Sequence, residues 1–143
     1  MVVYEVGVLI AGGIPVLTRQ YHKEIGGDQF SRSGFFAAIT SFTEQIFADT
    51  SEEIKMKKHI VHIKGVAWGK DKRNSLLYVV SSLDTPPERI KKLLDQLAEE
   101  VVKWDYPEES VDSEKFEDFL PIVDKIFESL HQKPTDRAKK LFG

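Results

Sequence analysis

The chain has 143 residues, of which 41% are hydrophobic and 30% are charged, and its formal net charge is −3. This length and composition suit one domain with a hydrophobic core and exclude a disordered or low-complexity chain. The absence of cysteine excludes disulfide scaffolds, cysteine-ligated metals and thiol catalysis. No apolar stretch approaches the ~20 residues that span a bilayer, and no signal-peptide pattern opens the chain. We therefore expect a cytoplasmic protein.

The N-terminal segment predicts a β-hairpin. Val2–Ala11 is rich in β-forming residues and is followed by Gly12-Gly13, a typical two-residue turn, and then by Ile14–Thr18. The first strand is apolar on both faces, which is typical of a strand in the middle of a covered sheet. The second strand carries Pro15, which cannot donate a ladder hydrogen bond and therefore favours an edge position.

A helix and three more strands follow. Ser33–Phe47 has apolar residues at helical spacing and predicts the first helix. Ile54–Lys57 predicts a short strand with lysines on one face, and Ile60–Val66 predicts the next strand. Leu76–Val80 is apolar on both faces and predicts a second central strand.

Two helices complete the pattern. The second predicted helix has Thr85 as its N-cap, Pro86 at the first helical position and an apolar stripe from Ile90 to Trp104. The third has its stripe between Phe116 and Leu130, and Pro121 either kinks this helix or lies in its first turn.

The predicted element order is therefore ββαβββαα. Two strands with two apolar faces need helices on both sides of the sheet, so the sequence predicts an α/β fold, a three-layer α/β/α sandwich around a five-stranded, mainly antiparallel sheet. We assign residues 1–131 to this domain and residues 132–143 to a short basic tail.

This element order resembles the longin domain, within the profilin-like group that also contains roadblock proteins. The residues that carry the likeness are Val6–Ala11 with Gly12–Val16, the Phe-rich segment Ser33–Phe47, and Leu76–Val80 leading into Thr85–Glu88. The opening hairpin is similar to that of many small archaeal longin/roadblock-like proteins. The resemblance implies a free-standing, non-enzymatic interaction module that serves small Ras-family GTPases in vesicle-trafficking complexes and pairs through sheet edges or through the first helix.

No residue pattern predicts catalysis, a cofactor or a metal site. His59 and His62 are three residues apart on a predicted strand, so their side chains should point to opposite faces. The acidic pairs, such as Glu99-Glu100, fall on solvated surfaces, and no serine lies in a nucleophile motif. The negative net charge and the lack of an aromatic ladder beside the lysines argue against nucleic-acid binding.

Charge is unevenly distributed along the chain. Residues 54–73 contain seven basic residues and one acidic residue, whereas residues 74–130 contain six basic and fourteen acidic residues. The basic region has three interpretations: it protects a sheet edge from aggregation, it meets an acidic protein, or it meets anionic lipid headgroups at a membrane surface.

Aromatic residues are in surplus on the first predicted helix. Phe35, Phe36, Phe42 and Phe47 cannot all point in one direction, so they form either a broad covered core stripe or a partly exposed contact patch. Trp68, at the end of a strand, is either an exposed anchor or a cap over the core.

These features, with the resemblance, lead to a first functional hypothesis, one main alternative and a third, a small-ligand or enzymatic pocket between the sheet and the helices. The first is an adaptor, dimeric or part of a hetero-complex, whose partner is a small GTPase or another longin/roadblock-type subunit. The alternative is a peripheral module that binds anionic membranes through residues 54–73. The expected interaction residues are Phe35, Phe36, Phe42, Phe47, Lys55, Lys57, Lys58, Lys64 and Trp68.

Overall fold

A computed structural model of the chain describes residues 2–10, 14–22, 34–36, 38, 41, 53–70, 73–104, 106, 117–128 and 130. Five antiparallel strands form one sheet in the spatial order β2-β1-β5-β4-β3. The predicted five-stranded antiparallel sheet is therefore confirmed. The strands are β1 (Val3–Ile10), β2 (Ile14–Gln20), β3 (Glu53–Lys55), β4 (His59–Trp68) and β5 (Arg73–Ser82).

The positions of the strands follow from their apolar patterns. β1 and β5 are neighbours in the middle of the sheet, and both are buried along most of their length. β2, which contains Pro15, lies at one edge, as predicted, and β3 lies at the other. The turn at Gly12-Gly13 lies outside the described residues, but the pairing of Ile10 with Ile14 closes the predicted hairpin.

Helix α1 (Pro87–Val101) carries the predicted apolar stripe on its buried face as far as Val101, and Trp104 lies past the end of the helix. Thr85 does not cap this helix, so that prediction was wrong. The N-cap position is Pro86, and the Thr85 hydroxyl lies 2.9 Å from the Ser82 hydroxyl instead. The Thr85 side chain therefore interacts with Ser82 and not with a backbone N–H in the first turn of the helix.

Helix α2 (Leu120–Ile126) is shorter than the predicted third helix. Pro121 lies in its first turn, where the missing N–H has no helical partner to lose. The alternative of a kink is therefore excluded. Phe116 and the tail at 132–143 lie outside the described residues.

Hydrophobic clusters lie on both faces of the sheet. The larger cluster joins β1, β2 and β5 to α1 and α2. The smaller cluster, on the opposite face, contains Tyr78, Val61 and Phe36. Residues 34–36, 38 and 41 are helical, so a helical segment covers this second face and the predicted three-layer arrangement is confirmed.

Two sets of polar contacts join residues that are far apart in the chain. Arg19 on β2 donates from Nε and Nη2 to the two carboxylate oxygens of Asp124 on α2, each at 3.0 Å, and the Tyr21 hydroxyl donates to the same carboxylate at 2.7 Å. Within the sheet, the Tyr78 hydroxyl donates to Glu5 Oε2 at 2.8 Å, and both residues are fully buried. Burial and the hydrogen bond to Asp124 raise the pKa of Tyr21, which keeps its hydroxyl a donor.

Candidate interaction surface

The edge strand β3 leaves part of its backbone open. The Met56 N–H donates to the His59 carbonyl at 2.8 Å, so these two residues form a hydrogen-bonded pair. Such pairs alternate along an antiparallel ladder, and the next one joins Ile54 to Val61. The N–H and C=O groups of Glu53 and Lys55 therefore point away from β4. Among the described strands, none lies on that outer side.

The lysines nearest to this edge are exposed. Lys55 ends β3, and Lys57 and Lys58 form the two-residue turn that connects β3 to β4. Within the described part of the chain, no carboxylate forms an ion pair with any of the three. The strand predicted for Ile54–Lys57 ends earlier than expected, so Lys57 belongs to the turn and does not share a strand face with Lys55. Met56 between them is 41% exposed.

Lys64 does not belong to this set of unpaired lysines. Its Nζ lies 2.9 Å from Asp95 Oδ1 of α1. The ion pair connects β4 to the helix that covers it. It also neutralises the positive charge of Lys64, which the sequence predicts would meet a partner. Lys64 is therefore a sheet-to-helix contact in this structure.

The two described phenylalanines of the first predicted helix point in different directions. Phe36 is 4% exposed and packs against Tyr78, with ring centroids 4.9 Å apart. Phe35 is 51% exposed. Phe36 is therefore a core residue and not part of a contact patch, whereas Phe35 is available to a partner. Phe42 and Phe47 lie outside the described residues.

Trp68 is buried, so its interpretation as an exposed anchor is wrong. It is 1% exposed, and its Nε1–H donates to the Trp104 carbonyl at 2.7 Å. The Tyr106 ring packs edge-on against it, with centroids 5.1 Å apart. Trp104 and Tyr106 cover the end of β4. Trp68 therefore lies beneath them as part of the hydrophobic core.

His62 is a buried titratable residue beside the open edge. It is 4% exposed, and its Nδ1 lies 3.8 Å from Glu53 Oε1 on β3. Burial lowers the pKa of the imidazole, and the Glu53 carboxylate opposes part of this effect. No hydrogen-bond partner for His62 Nε2 occurs among the residues that the structure places. The sequence pattern only argued against a metal-ligand role for His62, and its position opposite Glu53 depends on strand register, which the local pattern does not contain.

The histidines do not converge. His59 packs edge-on against Tyr4, with ring centroids 5.0 Å apart, and Tyr4 packs against the smaller hydrophobic cluster. His62 lies an odd number of residues further along β4. Throughout the described ranges, no group of three or more His, Asp or Glu side chains could hold a metal ion, and no helix there is long and apolar enough to cross a membrane.

Comparisons with known proteins show the fold. A structure described as MglB with tetrameric arrangement superposes with a TM-score of 0.56 at 11% identity, covering 71% of this chain and 76% of that chain. The gliding protein MglB from Thermus thermophilus gives a TM-score of 0.55 at 10% identity, with the same coverage. No protein-family model and no curated protein matches the sequence. The chain therefore has the longin-like fold that its sequence predicted, and it shares this fold with MglB.

Proposed function

We propose that the chain is a non-enzymatic adaptor that regulates or scaffolds a small Ras-family GTPase in a vesicle-trafficking-like system, as an edge-paired homodimer or with another longin/roadblock-type subunit. The observation that carries the proposal is the edge position of β3, whose outward backbone groups and Lys55 side chain have no strand or ion-pair partner among the described residues. The longin-like fold supports it, because the family resemblance implies modules that pair and serve small GTPases.

The β3 edge is complementary to itself. In a symmetric antiparallel pair centred on Ile54, the outward backbone groups of Glu53 in one copy meet those of Lys55 in the other. The carboxylate of Glu53 then lies opposite the ammonium of Lys55 twice across the twofold axis, and opposite charges at facing positions stabilise paired strands. The MglB structure with tetrameric arrangement supports assembly as a property of this fold.

Phe35 supplies an exposed apolar side chain on one face of the sheet. Its neighbour Phe36 packs into the smaller hydrophobic cluster, against which Ile54 of β3 also packs. The helical segment that carries Phe35 therefore covers the sheet face to which Ile54 points, whereas the alternating side chains of Glu53 and Lys55 point to the other face. A half-exposed phenylalanine is the kind of anchor that a protein interface buries.

The pairing is tested by a charge reversal and its rescue. Lys55→Glu places two carboxylates opposite each other, so we expect sedimentation velocity to show a monomer. The double variant Glu53→Lys with Lys55→Glu restores opposite charges and should restore the wild-type dimer. A Lys55→Glu variant that keeps the wild-type mass, or a double variant that stays monomeric, contradicts pairing through β3.

The partner is tested by affinity purification of the tagged protein from its own host, with mass spectrometry of the bound proteins. We expect a small GTPase, and we expect Phe35→Ala to reduce its recovery. Leu83→Ala is the matched control, because Leu83 is comparably exposed in the turn after β5. Recovery of neither a small GTPase nor a longin/roadblock-type subunit by the folded protein contradicts the proposal.

A further inference from the structure

The connection between β3 and β4 concentrates positive charge at one projecting point. The hydrogen-bonded pair of Met56 and His59 leaves Lys57 and Lys58 as the two residues of the turn. Both side chains are exposed, and Lys55 immediately before Met56 is exposed as well. Residues 55–58 thus hold three positive charges and no negative charge. We call residues 56–58 the basic turn.

Neither turn geometry nor edge protection explains these lysines. Two-residue hairpin turns favour Asn-Gly, Asp-Gly or Gly-containing pairs, because such residues adopt the required backbone conformations most readily. A lysine that protects a sheet edge has to lie on the edge strand. Lys55 meets that condition, but Lys57 and Lys58 lie beyond the end of β3. Two adjacent lysines at the turn therefore call for another explanation.

We propose that the basic turn docks the protein on an anionic lipid surface. Lysine ammonium groups suit a diffuse layer of headgroups, because they are compact point charges, whereas specific recognition of a carboxylate favours the planar fork of arginine. The basic turn contains no arginine. Met56 adds a 41% exposed apolar side chain between Lys55 and Lys57, which can enter the boundary between headgroups and acyl chains.

Exposure makes the basic turn available to a membrane, and within the described ranges no carboxylate is ion-paired with its lysines. Lys64, elsewhere in the basic region, is ion-paired with Asp95, and the exposed Lys70 lies beyond the opposite end of β4 from the basic turn. The proposal does not depend on the GTPase-adaptor function. The β3 backbone groups that pair in the proposed dimer belong to Glu53 and Lys55, and the basic turn lies past them.

The test is co-sedimentation with vesicles of phosphatidylcholine alone and of phosphatidylcholine with phosphatidylserine. We expect binding only to the vesicles with phosphatidylserine, weakening as the salt concentration rises. Each lysine near such a surface contributes about fivefold in affinity, so the variant Lys57→Glu with Lys58→Glu should bind about 25-fold more weakly or worse. Met56→Ser should weaken binding, whereas Leu83→Ser should not.

The matched control is Lys91→Glu with Lys92→Glu, the same charge change at an exposed pair on α1. We expect this control to retain most of the binding. Equal loss in both double variants, or no dependence on phosphatidylserine, overturns the proposal. It is also overturned if the Lys57 and Lys58 variant still binds vesicles but no longer captures its protein partner, because the turn is then an acidic-protein contact. Sedimentation velocity of the same variant separates a lost membrane contact from a lost dimer.

Discussion

Gly7 of β1 lies directly under the aromatic ring of Tyr78 of β5. The two residues are register partners in neighbouring strands, and a Cβ atom on Gly7 would overlap Cε1 and Cζ of the tyrosine. The ring lies across the glycine with its hydroxyl on the buried carboxylate of Glu5, two residues back along β1. A glycine, which normally weakens a strand, is thus what allows this polar contact in the centre of the sheet.

Gly7→Ala should therefore lower the free energy of unfolding by about 3 kcal/mol, because the added methyl displaces the ring and lengthens its hydrogen bond to a buried carboxylate. Urea denaturation monitored by circular dichroism measures the change. Gly65→Ala is the matched control on β4, since no described residue beyond its two chain neighbours lies within 4 Å of the Cβ position there. That variant should be neutral or stabilised by up to about 1 kcal/mol. Equal losses at both glycines would contradict the steric explanation.

The sequence predicted the place of a strand in the sheet when the composition of that strand alone determines it. β1 and β5 are apolar on both faces, so the middle of the sheet was the only place that covers them. Pro15 predicted the edge position of β2, because its missing N–H is harmless only there. The apolar stripe of α1 predicted which face of the helix is buried, because only one side of that helix is apolar.

The sequence could not predict contacts that depend on distant partners. Glu5 reads as a polar residue in an apolar strand, and its burial depends on Tyr78, 73 residues away. Lys64 reads as one more free lysine, and its ion pair depends on Asp95 in a later helix. Trp68 was open to two interpretations because the segment that covers it, at Trp104 and Tyr106, follows an entire strand and helix. Of the predicted interaction residues that the structure describes, only Phe35, Lys55, Lys57 and Lys58 are therefore exposed.

The contact between Arg19 and Asp124 should be worth more than an ordinary surface ion pair. It is bidentate, it shares its carboxylate with the Tyr21 hydroxyl, and it joins an edge strand to a helix more than a hundred residues away. Both charged groups are a third or more exposed, so solvent screening limits the effect. We expect Asp124→Ala to lower the free energy of unfolding by about 1 kcal/mol.

Lys103→Ala provides the comparison for that variant. Lys103 forms an exposed ion pair with Glu100, three residues earlier, and this contact connects no separate elements. Its removal should cost at most about 0.5 kcal/mol. Arg19→Lys should cost less than Asp124→Ala but more than Lys103→Ala, because a lysine cannot donate two parallel hydrogen bonds to the carboxylate yet leaves its hydrogen bond from Tyr21 in place. An Arg19→Lys variant as stable as the wild type would show that the planar geometry contributes nothing.

His62 should make the stability of the fold depend on pH in the mildly acidic range. Burial lowers the pKa of its imidazole in the folded state below the ordinary value of 6.5, so the unfolded chain binds the proton more readily. Stability is then unaffected by this group above pH 6.5, falls as the pH drops through 6.5, and levels off below the folded-state pKa. The nearby carboxylate of Glu53 limits the loss, because it stabilises the protonated imidazole.

Two measurements check this dependence on pH. In an NMR titration of the folded protein, the His62 ring protons should show a midpoint below 6.5, and Glu53→Gln should lower that midpoint further by removing the neighbouring negative charge. In urea denaturation at a series of pH values, His62→Leu should show a smaller loss of stability between neutral and mildly acidic pH than the wild type. A midpoint at or above 6.5 would mean that the imidazole is solvated in solution. Burial would then not govern its protonation, and the strand β3 would have to open far enough to admit water beside Glu53.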